Sequence, residues 1–180
     1  MTFEETSLGD AYLIERERHS DNRGGFERLW CAKDFGEAGL NASWVQNSLS
    51  INKLAGTLRG LHFQHPPKME DKLVICLRGR IYDVIVDLRA GSPTCGKCYS
   101  TELAAGDNRA LLIPKGFAHG FLTLEDDSHV FYQISEFYAP ELACGVRWDD
   151  PALKIEWPME PVVMSDRDRA LPGFAATKVA

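Results

Sequence analysis

The sequence predicts an all-β protein of the jelly-roll type with a few short helices. Three observations carry that expectation: short β-rich runs recur along the chain, Gly and Pro punctuate them, and a single segment has convincing helical character.

The longest such run, "LVICLRGRIYDVIVDL" at 73–88, reads as two strands joined at Arg78-Gly79-Arg80. Glycine takes positive φ without steric cost, so the join predicts a β-hairpin. In the second arm Tyr82, Val84, Val86 and Leu88 share one face, and Ile81, Asp83, Ile85 and Asp87 share the other. One face thus sets carboxylates among isoleucines. Further strands are expected in "RALLIP" ending at Pro114, "HGFLTL" from His119 and "HVFYQISEFY" from His129. "AKDFGEAGL" at 32–40 predicts a helix, with Gly39 as a stop near its end. A chain of 180 residues, 44% hydrophobic and 26% charged, suffices for one core, so a single domain over 1–180 is expected, with a loose tail from about 171 to 180.

A net charge of −6 without a basic block excludes nucleic acid as a partner but leaves room for a single nucleotide held by a few arginines. No run of 18 apolar residues exists, and the start "MTFEETSLGD" is acidic and polar, so no membrane association and a cytoplasmic location are expected. Five cysteines fit reduced thiols. Cys95 and Cys98 in "TCGKC" make only half a zinc site and are expected to be structural.

Polar residues interrupt the apolar pattern in "GTLRGLHFQHPP" at 56–67. On a regular strand Leu58, Gly60, His62 and Gln64 face one way, and Arg59, Leu61, Phe63 and His65 the other. Lys72 opens the next strand, His119 follows the turn in "IPKGFAH", and Tyr132 lies in the β-rich run "VFYQIS". Taken singly these are a core histidine, a surface lysine and a packed tyrosine. Taken together inside a barrel, an imidazole, a cation and a phenol suit proton transfer on one small ligand. The competing reading is a metal-binding cupin, which pairs HxH with PxGxxH. Pro114, Gly116 and His119 fit the second half, but His62 and His65 stand at HxxH, on opposite faces of a strand. No metal is therefore expected. Trp148 and Trp157 are expected to serve packing.

Seven segments, in order and across nearly the whole chain, resemble the dTDP-4-dehydrorhamnose 3,5-epimerase family, of which the chain looks like a divergent member. They are "DNRGGF" at 21–26, "GTLRGLHFQ" at 56–64, "KLVICLRGRIYDVIVDLRAGSPTCG" at 72–96, "IPKGFAHGFLTL" at 113–124, "YQISEFYAPE" at 132–141, "WDDP" at 148–151 and "IEWP" at 155–158. The resemblance implies a double-stranded β-helix jelly roll of cupin-like form and a homodimer formed by exchange of N-terminal strands. It also implies cofactor-independent inversion beside the ketone of a nucleotide-diphosphate-linked 4-keto-6-deoxy sugar. By position, His62 matches the general base, Asp168 the carboxylate that orients it, Tyr132 the acid on the opposite face and Lys72 the cation beside the sugar. Arg23, Phe26, Arg28, Gln46, Ser48, Arg59, His119, Tyr138 and Arg167 match substrate-binding positions, with Arg59 facing the diphosphate. Without the resemblance, Asp168 in "SDRDR" reads as a solvated charge.

Arg28, Ser48, Arg167 and the pair Ala143–Cys144 depart from the family pattern, which has an acid, an asparagine, a lysine and a glutamate there. The proton-transfer set is kept while the nucleotide shell changes, so the resemblance implies epimerisation at C3, C5 or both, with the base left open. Two alternatives accompany it: a 3,4-ketoisomerase of a similar substrate, and a non-catalytic sugar-binding jelly roll.

Overall fold

The computed structural model describes residues 1–40 and 43–177. In chain order its first elements are β1 (Thr2–Glu5), β2 (Tyr12–Glu15), β3 (Arg18–Asp21), β4 (Gly24–Glu27) and the helix α1 (Ala32–Glu37). The body follows as β5 (Gln46–Asn52), β6 (Leu58–Gln64), β7 (Lys72–Arg78), β8 (Arg80–Asp87), β9 (Cys98–Ala104), β10 (Arg109–Ile113), β11 (Phe117–Thr123) and β12 (Ser128–Ile134). The last described elements are β13 (Ala143–Gly145), the helix α2 (Asp166–Arg169) and a 3-10 turn at Phe174–Ala176.

Two antiparallel sheets form the jelly roll. One has the order β1-β2-β10-β7-β12-β5 and the other β13-β6-β11-β8-β9, while β3 and β4 pair as a separate hairpin. Alternation along the strands sends Val74, Cys76, Ile81, Ile85, Leu111, Phe117, Phe121 and Val130 between the sheets, where they make the central core. Their neighbours in sequence point outward. Leu73, Ile75, Ala110 and Leu112 pack under α1 through the fully buried Phe35. Leu61, Phe63, Val84, Val86 and Ala118 are covered by Val146, Leu153 and Trp157 from the C-terminal segment.

The expected hairpin at 73–88 is corrected. β7 belongs to the six-stranded sheet and β8 to the five-stranded one, so the chain crosses between layers at Gly79, whose φ is +70°. The glycine announces a change of direction, but a hairpin and a crossover use the same residue for it. Residues 171–177 are not loose either. Leu171 lies against Gly145, Phe174 packs on the outer core, and Thr177 is buried. The remainder of the expected tail, 178–180, lies outside the described residues.

Candidate active site

Strand register builds the two walls of a cleft between the sheets. On the six-stranded sheet, Ile134 of β12 pairs with Gln46 and Lys72, and Tyr132 pairs with Ser48 and Val74. Residues two apart share a face, so these two rows stack on the inner surface. The facing wall carries His62 paired with His119, and Arg59 paired with Phe121.

That second wall breaks the strand rule. Between these pairs β11 advances by one residue, Gly120, and β6 by two, Gly60 and Leu61. This bulge reverses the alternation and brings Arg59 and His62 to the same cavity, against the opposite faces expected from a regular strand. Gly60 makes it possible: its φ is +121°, and a Cβ there would lie 2.5 Å from Gly120 Cα and 2.8 Å from the His119 carbonyl oxygen. A glycine inside a strand pattern was the available signal.

The cleft has two lobes that share His62, Lys72 and Ile134. The first, about 310 Å³, is lined also by Ser48, Ser50, Arg59, His119 and Tyr132. The second, about 190 Å³, adds Gln46, Gln64, Glu70, Glu136, Tyr138 and Arg167 among others. A lobe of roughly 300 Å³ stands at the lower end of small-ligand sites, a size suited to one sugar ring.

Asp168 lies behind His62. Its Oδ1 is 2.7 Å from His62 Nε2, and its Oδ2 accepts the Gly60 amide at 3.2 Å. The His62 side chain is 40% exposed toward the cleft and that of Asp168 only 6%. Burial raises the Asp168 carboxyl pKa, but the hydrogen bonds from His62 and Gly60 outweigh it and hold the group below the usual carboxylate range. An ionised Asp168 makes Nε2 the protonated nitrogen of a neutral imidazole and leaves Nδ1 as the basic one. The helix that presents Asp168 is capped by Ser165, whose hydroxyl accepts the Asp168 amide at 3.1 Å.

Opposite stands Tyr132. Burial pushes its phenol pKa up and Asp83 adds to the rise, against the opposing pull of Arg59 and a hydrogen bond with Ser50. Its ring meets His119 edge-on at 6.1 Å. His119 is itself buried and held by Asp83, with Nε2 to Oδ1 at 2.7 Å. Arg59 Nε donates to Asn52 at 2.7 Å, and Arg167 donates to the Tyr138 hydroxyl at 3.3 Å on the rim. Lys72 is paired with Glu70 at 3.1 Å.

The cleft therefore gathers His62, Tyr132, Lys72, Arg59, His119, Ser48, Gln46, Tyr138 and Arg167, with Asp168 behind. It does not gather Arg23, Phe26 or Arg28. These belong to β4 and its flanks and line separate surface hollows. Phe26 is 68% exposed. Sequence reasoning missed Asn52, Glu70 and the pairing of Asp83. For Asp83 the signal was present, a carboxylate at an inward position among isoleucines. Among the described residues no group of three or more His, Cys, Asp or Glu could hold a metal ion, and no helix is long and apolar enough to cross a membrane.

An imidazole and a phenol opposed between jelly-roll sheets form a site of the kind that suits proton transfer on one small ligand. Comparison with known proteins specifies it. The sequence profile of the dTDP-4-dehydrorhamnose 3,5-epimerase family matches residues 5–176, and the chain belongs to that family. It is 40% identical over 181 residues to a dTDP-4-dehydrorhamnose 3,5-epimerase of Sinorhizobium fredii, covering 100% of this chain and 93% of that protein. The crystal structure of a Bacillus anthracis dTDP-4-dehydrorhamnose 3,5-epimerase with TDP and PPi bound superposes with a TM-score of 0.93 at 44% identity, over 96% of this chain and 98% of the other. A Legionella pneumophila dTDP-6-deoxy-D-glucose-3,5-epimerase in complex with dTDP-4-keto-L-rhamnose gives 0.92 at 36% identity, over 97% and 93%.

Proposed function

We propose that the protein epimerises a nucleotide-diphosphate-linked 4-keto-6-deoxyhexose at one or both carbons flanking the ketone. The observation that carries the reading is the placement of His62 and Tyr132 on opposite sheets around one sugar-sized hollow. A proton next to a ketone is removable because the resulting negative charge moves onto oxygen, and configuration inverts only if the proton returns to the other face. His62 takes the proton on Nδ1, and Asp168 stabilises the imidazolium that forms. Lys72 and His119 stabilise the enolate oxygen electrostatically. Tyr132, kept protonated by its raised pKa, delivers a proton from the facing wall. Arg59 holds a phosphate of the diphosphate.

Arg23, Phe26 and Arg28 are reconciled with this reading by a homodimer in which the N-terminal strands of one protomer reach the cleft of its partner. Their place in hollows separate from the chain's own cleft and the exposure of Phe26 support it. So does an uncovered apolar strip on the outer face of the six-stranded sheet, where Leu49 and Ile51 are 50% and 55% exposed.

The test is incubation in D₂O with dTDP-, CDP-, GDP- and UDP-linked 4-keto sugars, following the ring protons by NMR. Deuterium at C3, at C5 or at both defines the epimerase. A shifted ketone would identify the ketoisomerase, and tight binding without exchange the silent sugar-binding protein.

A further inference from the structure

We propose that Glu70 is a positioning residue that fixes the Lys72 ammonium so that its remaining N–H meets the substrate carbonyl oxygen. The inference rests on the epimerase reading above. Glu70 lies in the loop between β6 and β7, two residues before Lys72. Its Oε1 is 3.1 Å from Lys72 Nζ, and the same Nζ donates to the His62 carbonyl oxygen at 3.3 Å. The two side chains are 8% and 11% exposed. An ammonium has three N–H bonds at tetrahedral angles. Once two are directed at protein acceptors, the direction of the third follows, and Lys72 borders both lobes of the cleft. One of those acceptors is the backbone of the proposed base itself. The group that receives charge on oxygen is thereby held in register with the group that takes the proton from carbon.

The other Glu70 oxygen shows that stability alone does not explain this carboxylate. Oε2 is buried and has no hydrogen-bond partner among the described residues. A half-satisfied carboxylate in a wall destabilises the fold relative to an apolar side chain of the same shape. The neighbouring acids are otherwise engaged: Glu136 with Lys68, Asp168 with His62 and Asp83 with His119. Among the described ion pairs, Glu70 is the one carboxylate on Lys72.

The test is steady-state turnover, followed by NMR on the substrate that the wild-type chain accepts, for Glu70→Ala, Glu70→Gln, Lys72→Met and the Glu70→Ala/Lys72→Met double variant. Glu70→Ala should lower kcat about tenfold or more with KM changed by less than about threefold, because orientation and not ground-state binding is lost. Glu70→Gln should recover most of the loss, since its amide oxygen accepts the same N–H. In the Lys72→Met background, Glu70→Ala should add nothing. A loss of equal size in that background, a loss confined to KM, or wild-type kcat in Glu70→Ala overturns the inference. Should the alanine variant fail to fold, Glu70→Met fills the space without an acceptor and is read by the same criteria. A wild-type chain that turns over none of the sugars rejects the epimerase reading, and this inference with it; an active wild type with unaffected Glu70 variants rejects the inference alone.

Discussion

Asp168, on a four-residue helix 106 positions further along the chain, holds the imidazole of His62 at 2.7 Å. The pair fixes which ring nitrogen is basic. In Asp168→Asn the amide can donate to Nε2 and drive the proton onto Nδ1, so kcat should fall by about 10²-fold or more. Thermal unfolding of the variant, measured alongside turnover, should show that the protein still folds.

His62→Ala should abolish exchange of ring protons with D₂O while leaving the circular dichroism unchanged. Tyr132→Phe should behave differently, lowering net inversion more than the initial loss of the proton, because in the proposed mechanism the phenol acts after deprotonation. Equal effects of Tyr132→Phe on both steps would count against a donor on the opposite face.

Gly60→Ala should unfold the local bulge. The new methyl group has no room beside Gly120, and the backbone is in a region that side chains rarely occupy. A loss of at least about 2 kcal/mol in urea denaturation is expected. Activity should fall further than stability, since Arg59 and His62 depend on this bulge for their common orientation.

Asp87 sets part of the acid stability. Burial raises its carboxyl pKa, but hydrogen bonds from Arg89, Ser92 and Thr94 outweigh it and hold the group at about 2, against an ordinary 3.8. A depressed carboxyl stabilises the fold above its unfolded-state value, and the contribution disappears as pH falls through the folded one. Denaturant titrations should therefore show about 2 kcal/mol lost over that interval from this group. Asp87→Asn should be less stable at neutral pH and show a flatter acid dependence.

The proposed dimer predicts complementation. Arg23→Ala and His62→Ala homodimers should each be impaired, for different reasons. In a randomly assorted mixture, mixed dimers keep one site with both groups intact, so about a quarter of wild-type activity should return. No recovery on mixing after subunit exchange would place Arg23 outside its partner's cleft.

The inner faces of β7, β11 and β12 were legible because plain alternation governs them. Lys72, His119 and Tyr132 emerge inward, as the period of two requires. Two features escaped for physical reasons. The pairing of Arg59 with His62 in one cavity depends on the bulge at Gly60, which shifts the period without changing composition. The crossing at Gly79 escaped because a turn residue does not reveal which sheet receives the next strand. Asp168 was invisible from its neighbours: a charged run usually faces water, and only long-range packing buries this member of it.

Residues 62 and 168 are 106 positions apart and yet joined directly, so the proposed base depends on the segment that carries α2. Under the proposed mechanism that dependence makes the segment a point of vulnerability: α2 lies outside both sheets, so a protease nick ahead of it should lower turnover while the strands stay paired.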